Sequence, residues 1–168
     1  MRYNDNIIHM SHVKPAYPPS VPATPRETVP QAAIAAIEHR VHRLCLRFAP
    51  RLPFHGWHHV RFVRDKAVRF AESNGSDGSV VEAAALVHDV NYVVRRNSDA
   101  AAGGELRRRI LDSSGVRENI ARWIDDIVIE AEMRTRHRYI SIEAQALSDA
   151  DTLFKALPVT PVVLAHRY

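Results

Sequence analysis

His88 and Asp89 stand side by side at the end of an apolar stretch, EAAALVHDVNY, that occupies residues 82–92. An imidazole and a carboxylate carried on such a segment are costly to desolvate unless they bind each other, a proton or a metal ion, and this pair points to a metal ion. Adjacent side chains on a helix project about 100° apart, so two neighbours grip one ion only near a helix end, with further ligands arriving from elsewhere. In chain order the candidates are His59, then His88 with Asp89, then Asp149 or Asp151 in LSDADTL. Two imidazoles and two carboxylates form a mixed nitrogen and oxygen donor set, suited to a divalent ion (Mn, Mg, Fe, Ni, Co or Zn) with positions left for water and substrate. An ion so held lowers the pKa of its water toward neutrality and polarises a phosphoryl oxygen, which makes hydrolysis of a phosphate ester or anhydride the expected chemistry.

The elements that position these residues read as helices. PAYPPSVPATPRETVP cannot form a helix interior, so residues 1–28 are expected to be an extended tail. Ile34, Ile37, Val41, Leu44, Cys45 and Phe48 then recur at helical spacing until Pro50 and Pro53 stop them. Val60, Val63, Ala67, Phe70 and Ala71 mark a second helix ended by Asn74 and Gly75, with His55, His58 and His59 at its N-terminal mouth. A third, capped by Ser79 and running to Val90, is apolar on nearly every side and belongs in the middle of the domain. A fourth is expected from a Ser98 cap to about Gly115, where the Gly103–Gly104 pair would permit close packing. A fifth carries Ile120, Ile124, Ile127, Val128 and Ala131, and a sixth over 140–157 has Ile142, Ala146, Asp149, Leu153 and Ala156 on one face. There is no alternating strand pattern longer than a few residues and no internal repeat, so 29–168 is expected to be a single all-α domain of about six helices.

Composition narrows the rest. The 168 residues, 46% hydrophobic, suffice for one domain with a proper core, and no run approaches the ~20 apolar residues a membrane span needs. The N-terminus shows no apolar segment followed by a small-residue cleavage site, which makes a cytoplasmic location the default. Cys45 lies in an apolar stripe and is expected to be a small core residue. The charge of +4 is carried mostly by scattered arginines without interleaved aromatics, an unlikely nucleic-acid surface but a good source of phosphate contacts. Arg95 and Arg96, and near the other side of the proposed site Arg134, Arg136 and Lys155, are the candidates for holding a substrate phosphate.

Taken together, His, then His-Asp, then Asp on an all-helical background resembles the HD-domain superfamily of metal-dependent phosphohydrolases, with AALVHDV as the namesake motif and LSDADTL as the closing aspartate motif. FHGWHHV resembles the Tyr-His-Asn-x-x-His signature of cyclic-nucleotide phosphodiesterases and of small bacterial HD hydrolases, with Phe54 in place of Tyr and Gly56 in place of Asn. The resemblance covers residues 54–157. It implies His59 as the first metal-binding His, with His58 as its rival, and Asp151, in an Ala-Asp pair followed by Leu153, as the last ligand ahead of Asp149. It further implies His55 as proton donor to the leaving oxygen, Asp89 as a ligand that bridges two ions in dinuclear members, and His137 as the one extra histidine for a second ion. The expected cofactor is therefore one or two divalent ions, and the expected substrate a small phosphorylated compound such as a nucleotide. Other families on this scaffold resemble metal oxygenases or lyases, and a non-catalytic nucleotide-binding sensor module is the third alternative. A homo-oligomer is compatible with all of them.

Overall fold

The computed structural model describes residues 28–133, 139–158 and 160. The Pro-rich stretch, Arg134, Arg136 and His137 lie outside the described residues. Every regular element among those described is helical: α1 (Gln31–Arg47), a 3-10 turn (Ala49–Arg51), α2 (Trp57–Asn74), α3 (Gly78–Val87), a single turn α4 (Asn91–Val94), a second 3-10 turn (Ala100–Gly103), α5 (Gly104–Ser113), α6 (Glu118–Ala131) and α7 (Ile142–Lys155). The architecture is all-α, with six longer helices as the hydrophobic spacing indicates. None of these helices is long and apolar enough to cross a membrane.

α3 is the hub. Its residues 80, 81 and 83–87 are buried, and it packs against α1, α2, α6 and α7. A helix apolar all round has to be enclosed, and the three consecutive alanines Ala83–Ala85 let its neighbours approach closely. α1 covers it with Ile34, Ile37, Val41 and Cys45, and α2 with Val60, Val63, Ala67 and Ala71. Both stripes are those the spacing picks out. Gly75 (φ 77°) closes α2 and Gly115 (φ 78°) lies just after α5, each in the left-handed region that favours a residue without Cβ.

Several local expectations are corrected. α3 is capped by Asp77, whose Oδ1 accepts from the Ser79 and Val80 amides, while Ser79 instead accepts from the Val29 amide and ties the start of α1 to α3. α3 also ends at Val87 rather than Val90, because His88 Nδ1 donates to the Ala85 carbonyl (2.7 Å) and the next bonds tighten, Val90 N–H reaching Val87. Ser98 caps nothing. It is buried and bonded to Asn91, while Asp99 caps the short turn that precedes α5. In α7 the expected face is mostly outward, with Ile142, Asp149, Leu153 and Ala156 exposed and only its Ala146 buried; Ala144, Leu147, Ser148, Ala150 and Phe154 are buried with it. Two stripes of α7 share helical spacing, and the inner one is that which meets α2 and α3.

Candidate metal centre

Three elements deliver the polar cluster. His55 precedes α2 and His59 lies in its first turn, His88 and Asp89 follow α3, and Asp151 sits on α7. Gly56, the residue before α2, has extended backbone geometry, and a Cβ there would come 3.1 Å from the Leu52 carbonyl, so a larger residue would crowd this entry turn. His59 is fully buried, with its ring against Phe54 and Phe154, while neighbouring His58 is exposed and faces a separate surface pocket beside Arg61 and Phe62. The 100° between adjacent helical positions thus separates the two histidines. Asp149, likewise, is exposed and Asp151 turns inward.

The donor atoms converge on a small volume. His59 Nε2 lies 3.0 Å from Asp89 Oδ2, 3.1 Å from His88 Nε2 and 3.5 Å from Asp151 Oδ1. Asp89 Oδ2 is also 2.7 Å from His55 Nδ1 and 3.3 Å from His88 Nε2. Two overlapping triads, His55/His59/Asp89 and His59/His88/Asp151, have the reach to hold an ion. One imidazole nitrogen carries a single proton or a single lone pair, so His59 Nε2 satisfies at most one of its three neighbours by a hydrogen bond. A shared cation satisfies all three. The separations fit that reading as well, since ligands about 2.1 Å from a common ion stand roughly 3.0–3.4 Å apart. The Ala85 carbonyl fixes the His88 tautomer from behind and turns Nε2 inward, the second-layer support that metal-binding imidazoles commonly have. The residues present fit a divalent ion.

Electrostatics agree with a site that needs a positive charge. Burial pushes His59 down from its ordinary value, only partly offset by Asp89. His88 feels the same burial, yet Asp89, Asp151 and the Ala85 carbonyl outweigh it and raise it to about 9. Burial alone would raise Asp89, but the imidazoles of His88, His55 and His59 hold it well below the usual carboxylate range. With no metal bound, one proton on His88 takes the place of a cation between His59 and Asp89.

A cavity of ≈110 Å³ opens beside the cluster, lined by His55, His88, Asp89, Asp151 and Lys155 among others. His55 is stacked on Tyr92 with centroids 3.7 Å apart, and Lys155 Nζ is 2.5 Å from Asp151 Oδ2. Arg95 and Arg96, expected to hold a substrate phosphate, are exposed and are not among the residues that line the cavity, and the backbone is extended at Arg95, the residue after α4. Tyr92, absent from the expected site, and Glu132 also line the cavity. Tyr92 stands three residues after Asp89, a one-turn spacing that carries the signal in the sequence. Glu132 accepts from the Ala100 amide (2.8 Å), and fully buried Arg107 donates to the Ala100 carbonyl (2.7 Å), so Ala100 in the cavity wall is held through both its N–H and its C=O. Arg107 is paired in turn with Asp125 (2.6 Å).

No family model matches the chain. A curated protein from Bacillus subtilis (strain 168), the uncharacterized protein YpgQ, is 34% identical over 103 residues, which is 59% of this chain and 50% of that protein. The chain therefore spans about half the length of the curated relative it matches. A crystal structure of a Lactobacillus plantarum protein, a structural genomics target, superposes with a TM-score of 0.67 at 22% identity, covering 84% of this chain and 64% of that one. At that identity the likeness establishes the fold.

Proposed function

We propose that the chain is a metal-dependent phosphohydrolase of the HD type, cleaving a phosphomonoester, a phosphodiester or a nucleotide phosphate. One observation carries the reading: His59 Nε2 faces Asp89, His88 and Asp151 at 3.0–3.5 Å, three partners that one ring nitrogen cannot satisfy without a shared cation. His59, His88, Asp89 and Asp151 would hold a divalent ion, which when bound supplies an activated water and a Lewis acid for the phosphoryl oxygen. The chain's own groups would do the rest. His55 gives its Nδ1–H to Asp89 and is steadied by stacking on Tyr92, which leaves Nε2 to hand a proton to the leaving oxygen. Lys155, at the cavity wall beside Asp151, would neutralise a non-reacting phosphate oxygen. The small cavity favours a substrate that inserts its phosphate and leaves the remainder outside.

The test is to purify the chain, add back manganese, magnesium, iron, nickel, cobalt or zinc, and screen phosphomonoesters, cyclic nucleotides and nucleoside triphosphates. Metal-dependent turnover that His88→Ala and Asp89→Ala abolish, and that His55→Ala lowers by roughly 10²-fold or more, is expected. Metal loading without turnover on any of these substrates would overturn the hydrolytic reading.

A further inference from the structure

Away from the metal centre, α1 and α5 lie side by side and leave a groove of ≈390 Å³ whose rim carries Arg40, Arg43, Arg47 and Arg109 and whose floor includes Leu44 and Ile110. It is several times the size of the ≈110 Å³ cavity at the metal centre and falls in the range typical of small-molecule sites, about 300–1,000 Å³. No carboxylate lines it. Arg40 donates to the Ser113 carbonyl at the end of α5, and Arg109 is paired with Glu105 one turn earlier. Arg43 makes no ion pair with any described carboxylate, nor does Arg47, whose guanidinium lies 5.5 Å from the Phe48 ring centre.

Three guanidiniums at i, i+3 and i+7 on one exposed helix face repel one another, so the stripe weakens α1 taken alone. A ligand of opposite charge reverses that. The planar fork of arginine suits two-point contact with phosphate oxygens, and residues 40 to 47 span roughly 10 Å along the axis, more than a single phosphate fills. The apolar floor gives a non-phosphate portion somewhere to rest.

We propose that the α1/α5 groove is a second binding site, for a small oligophosphate: a nucleoside di- or triphosphate or a short inorganic polyphosphate. The proposal stands apart from the hydrolytic reading, since none of the residues that line the groove belongs to the His/Asp cluster. It is tested by isothermal titration of the full chain, stripped with chelator, with inorganic tripolyphosphate in one arm and a nucleoside triphosphate in the other. Saturable binding near one equivalent is expected, weakened about tenfold or more by Arg43→Ala with Arg47→Ala, weakened also by Arg109→Ala on the facing helix, and unchanged in His88→Ala. A thermal melt showing each variant fully folded at the titration temperature keeps the comparison a binding measurement. Tighter binding of the nucleotide assigns the floor to a nucleoside, and equal binding assigns the site to the phosphate chain; both support the proposal. Binding that survives the arginine substitutions, binding lost only in His88→Ala, no saturable binding in either arm, or tighter binding of a single-stranded oligonucleotide than of tripolyphosphate would each overturn it.

Discussion

In metal-free protein the charges around His88 set the sign of a pH dependence. His88 is raised from 6.5 to about 9 in the folded chain, chiefly by Asp89 working against burial. A group whose folded pKa exceeds its unfolded value adds stability that is fully present below the unfolded pKa and is lost as pH rises through the folded one. The metal-free protein should therefore lose stability between about pH 6.5 and 9, by about 3 kcal/mol in total, or roughly 10 °C in melting temperature for a domain of this size. Three groups with shifted values titrate outside that window. His59 is depressed below 6.5, Asp89 lies far lower, and the buried Cys45 thiol, pushed up to about 11 from 9.0, begins to matter only above it. Thermal melts in chelator from pH 6 to 9 measure the slope. Asp89→Asn should flatten most of it, since only the Asp151 carboxylate and the Ala85 carbonyl then oppose the burial of His88. Saturating divalent metal should reverse it, because the ion takes the place of the proton and binds more tightly as His88 gives that proton up. A metal-free stability that is flat or rises over this window would refute the account of the cluster.

Two further outcomes concern the scaffold. Asp125→Ala strands the fully buried Arg107 guanidinium and should cost about 3 kcal/mol, the lower end for a broken buried pair because Asp125 is itself 26% exposed; a urea titration reads it. Gly103→Ala places a Cβ 2.8 Å from Arg107 Nη1 and 2.9 Å from the Asn91 amide nitrogen, so a loss of about 1–3 kcal/mol is expected, whereas Gly78→Ala meets nothing within 4 Å and should be neutral or stabilising in the same titration.

Much of the centre was legible because it depends on local geometry. Adjacent positions on a helix diverge, so a motif with two neighbouring histidines or alternating aspartates can send only one of each inward, and the inward ones are His59 and Asp151. The stripes of α1 and α2 were legible for the same reason. What the spacing could not decide were choices between chemically equivalent neighbours. Asp77 and Ser79 are both good caps two residues apart, and only the packing of Val29 against α3 determines which one is used. The two faces of α7 have similar spacing and differ in what they meet: Phe154 lies against Phe54, Phe62 and His59, long-range contacts absent from any local window. That Arg95 and Arg96 stand outside the cavity lining depends on the backbone after α4, to which the charges themselves give no clue. The close approach allowed by Gly103 was foreseeable as a possibility of the Gly-Gly pair, but the buried Arg107–Asp125 pair that needs it was not.

The account rests on His59, His88, Asp89 and Asp151 sharing a cation, and elemental analysis of the chain purified without chelator tests this most directly. It predicts about one or two equivalents of a divalent metal, lost in His88→Ala and in His59→Ala and kept in His58→Ala and Asp149→Asn. Protein that carries no metal and takes up none on addition, or that keeps its metal when His59 or His88 is removed, would contradict it.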